Sequence, residues 1–430
     1  ELARAGLLGF FGAGGLSHAE IEAAIGQIAA QVPSGASWGS NLLHHPMHPV
    51  REEKLVDLYL GQKVRYVSAA AYVGVTEALV RYRCHDIHEA NGRVVTPNHL
   101  FAKVSRLEVA QKFLAPSPLV LLENLLEKGA LNEEQVRLAR NIPLAEDIIA
   151  EGNSGGHTDR QPTALLLGTL QQLRDRIAEG ESYSTIPRVG CAGGIGTAAT
   201  AWGAFAMGAD FVTTGSINQT AVEAGTSDIV KAMLCEADFQ DVAMGIAPDR
   251  FEMGATVQVL SRATMYAPRS QQLYRLYRDF PSLEAIDQPT KTKIERQIFR
   301  RPLSEVWEQA RQYWVQKDPA MVEQAGHDPH HQMALTFRWY LTMSSRWARS
   351  GHEDRQRDFQ IWCGPALGAF NAWAQEGPLE TQQARRVVTM AEAIMNGATA
   401  HGRVAAARTM GLRLPRHVDA VPCTNWGHLA

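Results

Sequence analysis

Through the first half of the 430-residue chain, short apolar runs that end in glycine or polar residues alternate with longer stretches whose apolar positions recur every three or four residues. A short continuous apolar run suits a strand of a parallel sheet covered on both faces, and the three-four spacing suits an amphipathic helix, so the alternation predicts consecutive βα units. Strands are expected near 7–11, 37–43, 64–70, 94–104, 147–151, 188–191 and 211–214, separated by helices such as HAEIEAAIGQIAAQV and ALLLGTLQQLRDRIAEG. The opening ELARAGLLGFF reads as the end of a helix running into a strand. The expected fold is therefore α/β, a (β/α)8 TIM barrel whose first strand lies upstream of residue 1.

From about Phe239 the strand-like runs stop, and SQQLYRLYRDF, KTKIERQIFRRPLSEVWEQARQYWV and HQMALTFRWYLTMSSRWARS are helical in period and rich in tryptophan and arginine. This predicts a mostly helical insertion over 239–379, with Trp307, Trp314, Phe337, Trp339 and Trp347 in its core rather than around a ligand. The stretch RRVVTMAEAIMNGATAHGRVAAARTMG sets Val387, Ala391, Ile394, Met395 and Ala398 on one face. It is expected to return to the barrel as a closing helix, so that 1–238 and 380–414 make the barrel and 415–430 a C-terminal tail.

Composition narrows the class. With 45% hydrophobic and 20% charged residues the chain is globular throughout, and a formal charge of -3 provides no general attraction to nucleic acid or to an anionic membrane. No apolar run approaches the roughly 20 residues that span a bilayer. Five widely separated cysteines, none in Cys-x-x-Cys spacing, fit a reducing cytoplasm. Neither nucleic acid nor membrane is an expected partner, and the oligomeric state is open, with a homodimer among the options.

In a βα barrel the chemistry sits on loops after the strands. VGCAGGIGTAATA, 189–201, is a strand, then Gly193 and Gly194, then a helix start, and its amides can cradle a phosphate. DFVTTGSINQT, 210–220, repeats the arrangement one strand later with Gly215 and Ser216. Each loop alone also reads as a plain turn; two in succession late in the barrel are the usual TIM phosphate grip. The late position of AGGIG, with no acidic residue ending the next strand, argues against a Rossmann dinucleotide site. EGNSGGHTD leaves the preceding strand at Glu151, and Gly155 and Gly156 would let the backbone pass close to a flat ligand. His157 then either exchanges a proton near neutral pH or hydrogen-bonds its own loop; spacing leaves both open.

Together ELARAGLLGFFGAGGL, GSNLLHHP, EGNSGGHTD, VGCAGGIGT and DFVTTGSINQT resemble the superfamily of FMN barrels that holds nitronate monooxygenases and flavin-dependent enoyl reductases. MGATVQVLSRATMYAPRSQQLYRLYR, FRWYLTMSSRWA and QIWCGPALGAFNAW are more specific and resemble the PfaD-type enoyl reductases, which act in trans on polyunsaturated fatty acid and polyketide synthases. The resemblance implies FMN across the barrel mouth, its phosphate on Gly193, Gly194, Gly215 and Ser216, with Asn41, Lys103, Glu151, Gly155 and Gly156 also lining the cofactor. Lys103 would stabilise charge on the reduced ring, or simply lay its stem along apolar neighbours. NADPH would reduce FMN, and hydride would pass to the β-carbon of an enoyl thioester on an acyl carrier protein, with His157 as general acid or carbonyl-orienting group. His44 and Asn153 are secondary substrate residues; Asn153 and Arg160 stand where the family more often carries an acidic residue and Asn. The rival readings are a nitronate monooxygenase, in which His157 abstracts a proton from a nitroalkane, and a flavin-free phosphate-binding barrel that serves for docking.

No metal is expected. LHHPMHP (His44, His45, His48) lacks a nearby carboxylate or thiol that would complete a shell, and HDPHH (327–331), which falls in the helical insertion, reads as a solvated loop. KTKIERQIFRR, 291–301, is either a solvated face or a dock for an acidic carrier protein, with Arg300 and Arg301 as its contact residues.

Overall fold

The computed structural model describes residues 1–44 and 49–415, so His45, His48, Cys423 and the tail from 416 lie outside the described residues. Two compact units emerge. The first comprises 1–152, 159–213 and the segment from Val387, and the second comprises Asn153–Thr158 and Thr214–Arg386.

In chain order the strands are β1 (Gly9–Phe11), β2 (Trp38–Leu43), β3 (Tyr66–Ala70), β4 (His88–Ala90), β5 (Arg93–Val95), β6 (His99–Val104), β7 (Asp147–Glu151), β8 (Arg188–Ala192), β9 (Val212–Thr213), β10 (Val242–Ile246) and β11 (Thr256–Leu260). The first unit is built on one parallel sheet in the order β1-β2-β3-β6-β7-β8-β9. Helices follow β1, β2, β3, β6, β7 and β8, which makes this a TIM-type βα barrel; among the described residues seven parallel strands are present. Phe101, Ile149 and Ala192 fill the inside of the sheet, backed by Phe10, Tyr66 and Phe211.

The expected run at 94–104 is two elements. Asn91 and Gly92, both left-handed, turn β4 into β5 as an antiparallel ribbon, and Pro97, which has no amide to donate, separates it from β6. Helix Val387–Thr409 packs on helix Ala198–Ala206 within the first unit, through Met390, Ile394, Gly397 and Ala398. Met395, expected on that face, is 40% exposed.

The amino-terminal end of the sheet carries a charge network that serves stability. Glu146, just before β7, accepts from Arg83 Nη1 at 2.7 Å, Thr96 Oγ1 at 2.7 Å and the Leu100 amide at 3.1 Å, with His99 Nδ1 at 3.3 Å. Burial alone would raise its pKa, but the charge of Arg83, with His99 and Thr96 behind it, brings it down to about 2 from 4.5. A depressed carboxyl stabilises fully above its unfolded pKa and loses that contribution as pH falls through the folded value, here from 4.5 to about 2. Glu146→Gln should therefore cost about 3 kcal/mol at pH 7 and almost nothing in strong acid, which urea unfolding at the two pH values would measure.

In the second unit β10 and β11 form an antiparallel ribbon, so the expectation that strands stop near 239 is corrected. Loop 153–158 adds a rung to that ribbon, Gly156 pairing with Gln258, and Trp362 adds another at Val259. This places 153–158 and 214–238 with the second unit, outside the 239–379 drawn from composition. Helix Pro329–Ser350 starts on Asp328, whose carboxylate accepts from the His330 and His331 amides, and stops at left-handed Gly351. It brings Phe337, Tyr340 and Trp347 into a core with Phe251, Tyr266, Phe299 and Phe359; Trp307, Trp314 and Trp339 are half-buried. Among the described residues no helix is long and apolar enough to cross a membrane.

Candidate active site

In the first unit the candidate residues lie at the carboxyl ends of the strands. Asn41 of β2 accepts at Oδ1 from the Ala13 amide at 2.6 Å, and its main-chain carbonyl accepts from the Tyr59 hydroxyl at 2.9 Å. One side chain thus ties the loop after β1 to β2. Lys103 of β6 stands opposite Ile149, which puts Glu151 two residues further along β7, and Lys103 Nζ meets Glu151 Oε1 at 2.9 Å. An ammonium has three donors, so this pairing leaves two for other groups.

Gly193 and Gly194 both have φ of +79°, a sharp turn from β8 toward helix Ala198–Ala206 that side chains rarely tolerate. Thr163 Oγ1 donates to the Gly193 carbonyl at 2.9 Å, and Thr197 Oγ1 caps the helix by accepting from the Thr200 amide at 3.2 Å. The other first-turn amides carry the partial positive charge of a helix start.

His44, one residue beyond β2, has Nδ1 at 3.0 Å from Glu52 Oε2, and its ring stacks on Tyr72 with centroids 4.8 Å apart.

In the second unit the candidate residues are arranged by the β10–β11 ribbon. Gly156 exchanges both main-chain hydrogen bonds with Gln258, at 2.9 and 2.7 Å. A Cβ at Gly155 would lie 2.7 Å from the Cys363 main chain, and one at Gly156, where φ is +79°, would lie 2.7 Å from the Trp362 ring. These glycines are therefore required by the protein's own close packing on Cys363 and Trp362. Asn153 is tied to the same ribbon, since its Oδ1 accepts from Gln258 Nε2 at 2.9 Å.

This rigid loop ends in His157. Its Nε2 lies 3.1 Å from Asp249 Oδ1, and its ring meets Trp362 edge-to-face with centroids 5.7 Å apart. A carboxylate only accepts, so Nε2 carries the proton of that bond and Nδ1 is the other working nitrogen. Burial would raise the Asp249 pKa, but the hydrogen bond and charge of His157, with Arg250 in support, hold it below the usual value. Asp249 was not legible in the sequence: it lies 92 residues away in GIAPDRF with no pattern joining it to His157.

Ser216 Oγ accepts from the Gly364 amide at 2.9 Å, which leaves its O–H to donate. Gly215 has no such internal reason: its φ is −136°, and a Cβ there would meet nothing within 4 Å. Cys363 is buried, and burial pushes its thiol to about 12. It is no nucleophile at neutral pH.

Arg300, which is exposed, and Arg301, both expected as docking residues, also have partners within the second unit. Arg300 Nη1 donates to the Asp354 carbonyl and Nη2 lies 3.8 Å from buried Asp358, while Arg301 sits 5.2 Å over Trp339 with its Nε buried. Lys293 and Arg296 of the same segment are exposed.

Comparison with known proteins agrees with this architecture. Residues 280–359 match the family model described as [Acyl-carrier-protein] S-malonyltransferase, inserted helical domain. Polyketide biosynthesis protein PksE of Bacillus subtilis (strain 168) is 42% identical over 396 residues, 92% of this chain and 51% of that protein. Polyketide biosynthesis protein ThaF of Burkholderia thailandensis is 40% identical over 398 residues, 92% of this chain and 34% of that protein. A component of the polyunsaturated fatty acid synthase of Thraustochytrium sp. is 40% identical over 370 residues, 85% of this chain and 25% of that protein. The chain thus spans about half, or less, of these curated relatives. Among solved structures, the enoyl reductase domain of MlnA from the macrolactin biosynthesis cluster of Bacillus amyloliquefaciens superposes with a TM-score of 0.91 at 38% identity, covering 95% of this chain and 92% of that one. The chain belongs to the family of that domain, the PfaD-type enoyl reductases.

Proposed function

We propose that the chain is a trans-acting enoyl reductase that reduces the α,β double bond of enoyl thioesters on an acyl carrier protein during polyketide or polyunsaturated fatty acid synthesis. Hydride comes from NADPH by way of FMN. The observation that carries this reading is the match to the MlnA enoyl reductase domain over nearly the full length of both chains. Its setting is the cytoplasm, where the buried thiols Cys84, Cys191 and Cys363 stay reduced.

The residues present fit a flavin. The left-handed Gly193-Gly194 turn, the helix start behind it and the open Cβ direction at Gly215 suit the close approach of a phosphate. In this reading Asn41, Lys103 and Glu151 hold the ring on the barrel unit; Gly193 and Gly194, with Gly215 and Ser216, bind the phosphate. Bound flavin supplies the hydride chemistry. Lys103 balances negative charge on the ring, Glu151 holds Lys103 in place, and Gly155 and Gly156 shape the loop that presents His157. His157 delivers the proton that completes reduction at the α-carbon.

The test is an anaerobic titration of the purified protein. NADPH should bleach the flavin absorbance, and a crotonyl-type thioester should restore it. Recovery only with oxygen or a nitroalkane would favour the nitronate monooxygenase reading, and a colourless protein that binds no FMN would favour the flavin-free barrel.

A further inference from the structure

One polar cluster of the barrel unit is left unused by these roles. Glu52, on helix Pro49–Gly61, is only 2% exposed, a costly position for a carboxylate unless its oxygens are bonded. Both are: Oε2 faces His44 Nδ1 at 3.0 Å, and Oε1 accepts from Thr76 Oγ1. Thr76 also caps helix Glu77–Cys84, accepting from the Leu79 amide at 3.3 Å, so the carboxylate is held by two separate elements. His44 in turn continues the β2–β3 pairing through its amide to the Ala70 carbonyl at 3.1 Å, which fixes its main chain at the carboxyl end of the sheet. Tyr72 stacks on the imidazole with an interplanar angle of 28°. The Tyr72 hydroxyl is buried and makes no hydrogen bond of ordinary geometry.

The proton inventory follows from chemistry. A carboxylate facing Nδ1 can only accept, so Nδ1 carries a hydrogen, and Nε2 is the nitrogen left to meet anything else. The ring keeps 19% of its surface exposed, whereas Glu52 keeps 3% of its side chain exposed. A ligand can therefore reach the imidazole, not the carboxylate. This is the arrangement by which a buried carboxylate sets the tautomer and orientation of a working histidine. A bound anion is disfavoured here, because Glu52 already places one negative charge behind the ring. A neutral oxygen that gains charge only during reaction suits the site better.

We propose that Glu52 is a positioning residue for His44, and that His44 Nε2 hydrogen-bonds the thioester carbonyl oxygen of the acyl substrate. This rests on the enoyl reduction reading. Addition of hydride at the β-carbon moves the C=C electron pair toward the carbonyl, so the oxygen gains negative charge until a proton joins the α-carbon. A hydrogen on His44 Nε2 donates to that oxygen while Glu52 holds Nδ1–H behind the ring; Tyr72 and Thr76 keep the pair in register.

The test joins a spectroscopic and a kinetic measurement on the intact chain. With 15N-labelled histidine, the His44 resonance, assigned by its loss in His44→Gln, should show Nδ1 protonated and hydrogen-bonded to a carboxylate in the wild type and in Glu52→Asp, a signature that should be lost in Glu52→Gln. His44→Gln should lower kcat for a crotonyl thioester by about 10²-fold with KM changed far less, and Glu52→Gln by about 10-fold with partial recovery in Glu52→Asp. Melting temperatures near the wild-type value would show that these variants fold. An unchanged Nδ1 signal in Glu52→Gln overturns the positioning role, and an unchanged kcat in folded His44→Gln overturns the carbonyl contact. If the wild type reduces no enoyl thioester, the substrate role falls with the reaction, while the Nδ1 measurement still decides the Glu52–His44 pair.

Discussion

His157→Ala should keep its flavin absorbance and lose turnover by about 10²- to 10⁴-fold, the range expected when a positioned proton donor is removed. The proposed cofactor contacts do not include the imidazole, so colour and turnover should separate. Little else in the loop should move. Gly156 is paired with Gln258 in both directions and the glycines pack on Cys363 and Trp362, so the truncated side chain leaves a rigid frame behind. Asp249→Asn is the companion variant. It removes the charge that faces Nε2 and should lower kcat by about 10-fold, since orientation is retained in part by the Trp362 contact. The pH dependence has a definite sign. The Asp249 carboxyl lies below its usual value, so the carboxylate that accepts from His157 Nε2 is present throughout neutral pH and is lost only as pH falls through that lowered value. Wild type and Asp249→Asn should therefore differ most at neutral pH and converge in acid. Full turnover in a folded His157→Ala protein would remove the proton-transfer role.

Much of the barrel was legible because a strand buried on both faces needs little but apolar residues bounded by turn formers. Asp147-Ile148-Ile149-Ala150 and Arg188-Val189-Gly190-Cys191 are read from that alone. The run at 94–104 was over-read because its hydrophobicity continues past Pro97, although Asn91-Gly92 is a hairpin signature in plain sight. VAMGI and TVQVL were missed because five-residue strands among helical segments carry too few alternations to outweigh their surroundings. The candidate site divides in the same way. Gly193-Gly194, set by one strand and its loop, can be read from motif position, whereas Lys103 and Glu151 are expected only from the family resemblance. Partners from distant elements cannot: Asp249 for His157, or Glu52, Thr76 and Tyr72 around His44, become neighbours only through the fold. The glycines of the His157 loop show a subtler limit. Sequence shows that a close approach is needed, but not that the approaching atoms belong to Cys363 and Trp362.

The second large effect is expected in the helical unit, where Asp358→Ala should cost about 3 to 5 kcal/mol of stability. Asp358 is fully buried, accepts from the Tyr340 hydroxyl at 2.9 Å, from Arg355 Nη1 at 3.1 Å and from Arg269, and has Arg300 at 3.8 Å. Arg355 is itself 8% exposed, spends two further donors on the Ile298 and Phe299 carbonyls, and lies 4.4 Å over the Trp347 ring. Burial is the main influence on Arg355 and lowers its pKa, so this guanidinium stays charged at a cost that the carboxylate offsets. Removing Asp358 leaves cations gathered around an empty acceptor position, with Arg355 and Arg269 mostly buried beside it. Calorimetry should show an earlier transition for the helical unit, and a loss under about 1 kcal/mol would mean that the network is not what holds it. The same geometry predicts how reversal of Arg300 behaves. Arg300→Glu would set a second carboxylate beside Asp358, so it should weaken the fold and lower turnover on carrier-bound and small thioesters alike. A selective rise in KM for carrier-bound substrate is expected instead from Lys293→Glu combined with Arg296→Glu, whose side chains are exposed on that segment.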